Sequence, residues 1–323
     1  MDFLAARDLS VGYSEKILIS GINLTVESGK ILTLIGPNGS GKSTILKTLT
    51  RHLRKIGGVI EIKGMEQDRY TDAELARELS VVLTDRVKAE LMTCGDVVAM
   101  GRYPYTGHFG HLREEDYETV RSALATVGAL DLEHRPFTQI SDGQRQRIML
   151  ARAICQDPKV LVLDEPTSFL DIRHKIELLG ILLDMAKHKH VAIVMSLHEI
   201  DLAAKVSDFI ACVDGEHISH YGPPQDIITD RIVEKLYDLE KGSYNALFGS
   251  VELERPAGKP KVFVLAGGGG GVTTFRALQK KGIAFSAGIL YQNDIDYFVA
   301  ESLASELISL PAFAECTIET VNR

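Results

Sequence analysis

The sequence predicts an α/β protein with a parallel-sheet core, a helical insertion in that core, and a small second α/β unit at the C-terminal end. Three observations carry this expectation. The apolar runs Ile31–Ile35, Val160–Leu163 and Val191–Ser196 are unbroken rather than alternating. Strands buried on both faces read this way, as in parallel sheets covered by helices. Segments of helical spacing separate these runs. Finally, breaker residues cluster at 240–260, where the texture changes.

Taken in order, Leu9–Tyr13 and Ile22–Val26 read as strands. Ile31–Ile35 is a third, running into a glycine-rich turn, and Ser43–Leu53 carries helical spacing. Val59–Ile62 is another strand. From Ala89 to Ala153 the texture is helical, broken by a Gly/Tyr/Pro/His-rich connection at Gly101–His111. Strand texture returns at Val160–Leu163 and Val191–Ser196, with a helix at Ile172–Lys187 between them. Beyond the breakers at Lys241–Ser243 and Glu254–Pro260, Lys261–Ala266 reads as a strand, Gly267–Gly271 as a loop and Thr273–Lys281 as a helix. Ala284–Leu290 reads as a second strand and Ile295–Ile308 as a second helix. The expected organisation is a first domain over 1–240 with its helical part at about 89–155, a linker at 241–259, and a small domain at 260–323.

Composition narrows the function. The 323 residues hold 45% hydrophobic and 25% charged residues, ordinary for a globular chain with one large or two modest domains. The net charge of −8 argues against a broad nucleic-acid surface, so no nucleic-acid partner is expected. Cys94, Cys155, Cys212 and Cys316 form no CxxC or Cys/His cluster, which argues against zinc and fits reduced, buried thiols. The N-terminus lacks a basic region followed by an apolar run, so no signal peptide is expected. No stretch approaches the roughly 20 apolar residues that span a bilayer. A membrane role must come through a partner.

The chemistry begins at Gly36-Pro37-Asn38-Gly39-Ser40-Gly41-Lys42-Ser43-Thr44. It matches GxxxxGK[ST], follows an apolar strand and opens a helix. Such a loop wraps phosphates with backbone N–H groups at a helix N-terminus. Lys42 would reach the β/γ-phosphates of ATP, and the Ser43 hydroxyl would join a Mg2+ shell. Val160–Leu163 then ends in Asp164 and Glu165. Asp164 would hold Mg2+ through its water shell, while Glu165 would polarise the attacking water.

Between these elements stands Ile140-Ser141-Asp142-Gly143-Gln144-Arg145, which resembles the LSGGQ signature of ABC-type ATPases. The resemblance implies a P-loop NTPase cassette: a RecA-like parallel core, an antiparallel β subdomain and a helical subdomain. It implies that two cassettes pair head to tail, so this chain needs a second copy of itself or a relative. Ser141 and Gly143, with Gln144, would contact the γ-phosphate held by the partner. Tyr13 fits the aromatic that stacks on adenine, Ser168–Asp171 the D-loop with Asp171 at its end, and His198 the switch histidine. Two positions depart from the pattern. Asp142 replaces a glycine and sets a carboxylate near a polyanion, so it must point away or be paired, for example by an arginine. Thr84 stands where the family has a glutamine reaching the Mg2+ shell.

The stretch Asp96–Asp116, with Ala99-Met-Gly-Arg-Tyr-Pro-Tyr, is similar to importers of ferric siderophores, haem and cobalamin. That implies an integral membrane permease partner, an extracytoplasmic substrate-binding protein beyond it, and a peripheral place at the cytoplasmic face of the cell membrane. The competing readings are a soluble ABC ATPase, which would usually carry twin cassettes or a coiled-coil insertion, and a regulatory cassette with weak hydrolysis. In the C-terminal unit, Gly267–Gly271 between a strand and a helix reads either as an anion or nucleotide site or as a structural turn or dimer contact.

Overall fold

The computed structural model describes residues 2–14, 16–83, 89–107 and 110–315. Two compact units emerge, Met1–Ile227 and Ile228–Arg323.

The first unit opens with two long strands, β1 (Asp2–Tyr13) and β2 (Lys16–Glu27), followed by β3 (Ile31–Ile35) and helix α1 (Lys42–Leu49). Next come β4 (Gly57–Ile62), β5 (Met65–Glu66), α2 (Asp72–Glu78) and β6 (Leu79–Val82). The helical part holds α3 (Cys94–Ala99), α4 (Glu114–Thr126) and α5 (Asp142–Cys155). Then β7 (Val160–Leu163), α6 (Ile172–Lys189), β8 (Ala192–Ser196), α7 (Ile200–Val206), β9 (Phe209–Val213), β10 (Ile218–Gly222) and α8 (Pro224–Ile227) complete the unit. No helix among the described residues is long and apolar enough to cross a membrane.

A six-stranded sheet runs β10-β9-β3-β8-β7-β6 and is parallel except for β10; a four-stranded antiparallel sheet runs β2-β1-β4-β5. The unbroken apolar runs are the central strands β3, β7 and β8, buried along their whole length. Leu9, Val11, Ile19 and Ile22 of the antiparallel sheet join Leu32, Leu34, Val160 and Val194 of the parallel sheet, with Ile45 and Leu46 of α1, in one core. Each such side chain contributes about 1.5–3 kcal/mol when fully buried, so the two sheets hold each other in register. β3, β8 and β7 lie side by side, with Leu34 level with Ser196 and Leu163 with Met195. Whatever follows these three strands is therefore gathered at one sheet edge, where ligands of open α/β sheets bind.

The second unit contains α9 (Asp230–Leu236) and a hairpin of β11 (Ser243–Asn245) and β12 (Ser250–Glu252). β13 (Val262–Val264), α10 (Val272–Lys280), β14 (Phe285–Tyr291), α11 (Ile295–Leu303) and β15 (Glu306–Leu310) follow. The three last strands form a parallel sheet in the order β13-β14-β15.

Three expectations change. The stretch read as the linker 241–259 holds the β11–β12 hairpin, tied to the second unit by the Arg276–Glu252 ion pair and by Asn245 Nδ2 donating to Phe298 O at 3.3 Å. The helix expected over Ile295–Ile308 stops at Leu303. Ala304 is extended, Ser305 N donates to Phe285 O at 2.9 Å, and the chain continues as β15 on the edge of β14. Finally, α1 ends at Leu49 rather than Leu53, because Arg51 takes a left-handed turn (φ +59°) and its guanidinium bonds Tyr70 O.

Candidate active site

The phosphate loop leaves β3 through Gly36, whose φ is +147°; a Cβ there would lie 2.1 Å from Val213 O. Only glycine fits that close approach. Gly41, at φ +96°, then turns the chain into α1. Lys42 is buried at the start of that helix, and its ammonium donates to Gly36 O and Pro37 O, both at 2.8 Å. Burial lowers its pKa, a shift opposed by the nearby carboxylates of Glu165 and Asp164. The loop backbone thus keeps a cation folded against its own carbonyls.

Asp164 and Glu165 leave the end of β7 beside it. Ser43 Oγ donates to Asp164 Oδ1 at 3.1 Å, and Ser196 Oγ donates to the same oxygen at 2.8 Å. Ser196 also accepts the Glu165 N–H at 2.8 Å, so one buried hydroxyl positions both acidic residues. Glu165 takes a left-handed backbone (φ +49°). Its two oxygens are separately engaged: Oε1 lies 2.7 Å from His198 Nε2, and Oε2 accepts from Ser168 Oγ at 3.2 Å. Hard oxygen donors from Ser43 and Asp164 at this spacing suit Mg2+, which prefers carboxylate and hydroxyl or water oxygens.

The signature begins α5. Ser141 is its N-cap: Gln144 N donates to Ser141 Oγ at 3.2 Å, and Ser141 N donates to Gln144 Oε1 at 3.0 Å, closing a capping box. Gly143 lies against Leu170, 3.4 Å from where a Cβ would sit, and Gln146 Nε2 donates to Pro166 O at 3.3 Å. The helix start is thereby braced on the turn after Glu165. Asp142 carries its charge 3.6 Å from Arg145 Nη1, and the Arg145 guanidinium stacks over Phe137 at 5.3 Å. The carboxylate expected to need an arginine has one. Asp171 caps α6, accepting from His174 N at 2.9 Å; that bond and the His174 ring hold its pKa below the ordinary carboxylate value.

The structure therefore brings Lys42, Ser43, Asp164, Glu165 and His198 into one cluster, with Gly36, Pro37, Asn38, Gly39, Ser40 and Gly41 around it. Tyr13 is half exposed at the end of β1, its hydroxyl 3.3 Å from Thr44 Oγ1. Ser141 and Gln144 bond each other in the α5 capping box, and among the described residues no hydrogen bond joins Ser141, Gly143 or Gln144 to the loop. Thr84 lies outside the described residues. Ser196 was not singled out from the sequence; a serine closing an apolar strand just before a site histidine was the available signal. In the second unit, the glycine loop is already engaged. Gly268 N donates to both Asp294 oxygens (3.1 and 2.9 Å), Gly271 N to both Asp296 oxygens (3.0 and 2.9 Å), and Val272 N to Asp296 Oδ1 at 3.1 Å.

Comparison with known proteins places these features. Residues 19–168 match the family model described as ABC transporter. An uncharacterized ABC transporter ATP-binding protein of Methanocaldococcus jannaschii is 45% identical over 278 residues, covering 86% of this chain and 96% of the relative. The iron(3+)-hydroxamate import ATP-binding protein of Bacillus subtilis is 31% identical over 74% of this chain and 89% of its own length. The cobalamin import ATP-binding protein of Halobacterium salinarum is 29% identical over 96% of this chain and 79% of its own. Among solved structures, CbiO1 of Clostridium perfringens, part of an ABC transporter complex, aligns with a TM-score of 0.62 at 25% identity, over 74% of this chain and 95% of its own.

Proposed function

Because the chain belongs to the ABC transporter family as one of its ATP-binding, ATP-hydrolysing subunits, we propose that it powers uptake of a chelated metal of the siderophore, haem or cobalamin class. Two copies close head to tail on two ATP molecules, move an integral membrane permease, hydrolyse and reopen. An extracytoplasmic binding protein delivers the cargo, and the chain sits peripherally at the cytoplasmic face. Of these cargoes cobalamin is favoured. The Halobacterium cobalamin-import relative aligns across 96% of this chain, whereas the Bacillus hydroxamate relative aligns over 74%.

The clustering of Lys42, Asp164, Glu165 and His198 supports the hydrolytic half of this reading. Loop amides and Lys42 hold the phosphates, Lys42 exchanging its carbonyl partners for phosphate oxygens. Ser43 and Asp164 would hold a Mg2+ ion, which would supply charge neutralisation for the transferred phosphoryl group. Glu165, fixed through one oxygen by His198 and through the other by Ser168, orients and polarises the attacking water. Tyr13 offers its exposed ring to adenine. Ser141, Gly143 and Gln144 of a second copy close the site, and Arg145 holds the Asp142 charge in check.

The test is ATP hydrolysis in proteoliposomes carrying the chain with its co-purified permease and binding protein. Cobalamin should accelerate hydrolysis and accumulate inside. Acceleration by ferric hydroxamate alone would reassign the cargo within the class; failure of any permease to co-purify would overturn the importer reading.

A further inference from the structure

The second unit has a loop that is closed and a sheet face that is open. The glycine loop after β13 is where an α/β unit would take an anion, yet the amides of Gly268, Gly271 and Val272 are taken by Asp294 and by Asp296, which is fully buried. The loop is a self-capped turn, with Asp296 serving the N-terminus of α10 from across the fold. Among the described residues, the sheet behind it packs its helices on one face only. In the order β13-β14-β15, right-handed crossovers put both connecting helices on one face. Accordingly Phe275 of α10 and Val299, Ala300 and Leu303 of α11 share one core with Val264, Ala287 and Leu307. Parallel sheets are normally covered on both faces.

The uncovered face carries Lys261, Phe263 and Leu265 on one edge, Ser286 in the middle, and Glu306 and Ile308 on the other edge. Phe263, Ser286 and Glu306 form one row through the parallel register, opposite in pleat to the buried row Val264, Ala287 and Leu307. Phe263 is 51% exposed and Leu265 75%. Gly288 leaves space that Ile308 crosses, since a Cβ there would sit 2.8 Å from the Ile308 Cβ. The charges lie only at the two edges, a cation on β13 and an anion on β15, and among the described residues neither forms an ion pair.

This pattern is complementary to itself. A two-fold axis parallel to the strands and passing over β14 sets β13 of one copy above β15 of the other. Leu265 then faces Ile308 of the second copy, Phe263 faces the aliphatic stem of Glu306, and Lys261 lies one pleat from the Glu306 carboxylate, twice over. We propose that this open sheet face pairs with the same face of a second copy, making the C-terminal unit a homotypic docking module rather than a ligand-binding one. Three short strands offer far less than the roughly 800 Å² per partner of a stable complex. The pairing is therefore weak alone and gains from the effective concentration, up to about millimolar, that tethering to paired cassettes provides.

Cross-linking of the full chain captures such a weak pair. With Cys316→Ser and Ser286→Cys, a short bismaleimide should give a covalent dimer at least about 10-fold faster than with Leu247→Cys on the hairpin, as expected if β14 lies at the axis. Lys261→Glu and Glu306→Lys should each slow the reaction, and the double exchange should restore it. Working without nucleotide keeps the result independent of ATP-driven cassette closure. Equal rates for the two cysteine positions, or no rescue by the double exchange, would overturn the proposal.

Discussion

Ser196 holds the hydrolytic site together from behind, donating to Asp164 and accepting the Glu165 N–H from a fully buried position. Its hydroxyl is engaged by those two acidic residues, so it acts by positioning. Removing such an orienting partner typically costs 10- to 100-fold. Ser196→Ala should therefore lower kcat about 10- to 100-fold with the KM for ATP changed by less than about 3-fold, and Ser196→Thr should recover part of the loss. A matching loss in nucleotide affinity would show instead that the serine shapes the loop. Legibility at this scale follows chemistry. Lys42, Asp164 and Glu165 stand out in the sequence because phosphate binding and water attack require those groups next to a glycine turn and a strand end. A serine that acts through other residues has no such signature.

Among the elements, α4 and the connection before it illustrate how the helical part is knitted. Arg113 N donates to Asp116 Oδ2 at 2.9 Å, and Arg102 Nε donates to Oδ1 at 2.9 Å. Arg102 also donates to Cys155 O at 3.0 Å and stacks over Tyr105 at 4.1 Å. The backbone bond from Arg113, then the Arg102 pair, hold the Asp116 carboxyl below its ordinary pKa. A carboxylate depressed in the folded state adds stability above its unfolded pKa, and that stability is lost as pH falls through the folded value. Asp116→Asn should cost about 1 kcal/mol at neutral pH, lowering Tm by roughly 2–4 °C. The gap should start to narrow as pH falls past about 3.9, the unfolded aspartate value, and close only below the lower folded value, where the wild-type residue is itself protonated. A Tm difference that does not change with pH would remove the ionised carboxylate from the account. The elements hardest to read were those decided by distant partners. β15 carries apolar spacing that continues the helical pattern of α11, and only the free edge of β14 makes it a strand. The central strands were legible to the residue at β3 and β7 because burial on both faces leaves no alternation to misread.

At the scale of the whole molecule, the proposed function has one chain supply the groups for binding and attack but only half of each closed site. Ser141, Gly143 and Gln144 are built into a capping box on α5, with no hydrogen bond to the loop of the same chain among the described residues. The central claim is that ATP is hydrolysed between two such copies by a water that Glu165 polarises. It is tested most directly by combining turnover with oligomeric state for Glu165→Gln in Mg2+ and ATP. Turnover should fall by about 10²- to 10⁴-fold, the range for loss of a general base, while light scattering shows an ATP-dependent dimer that persists. Unchanged turnover, or a variant that stays monomeric with ATP bound, would contradict the account.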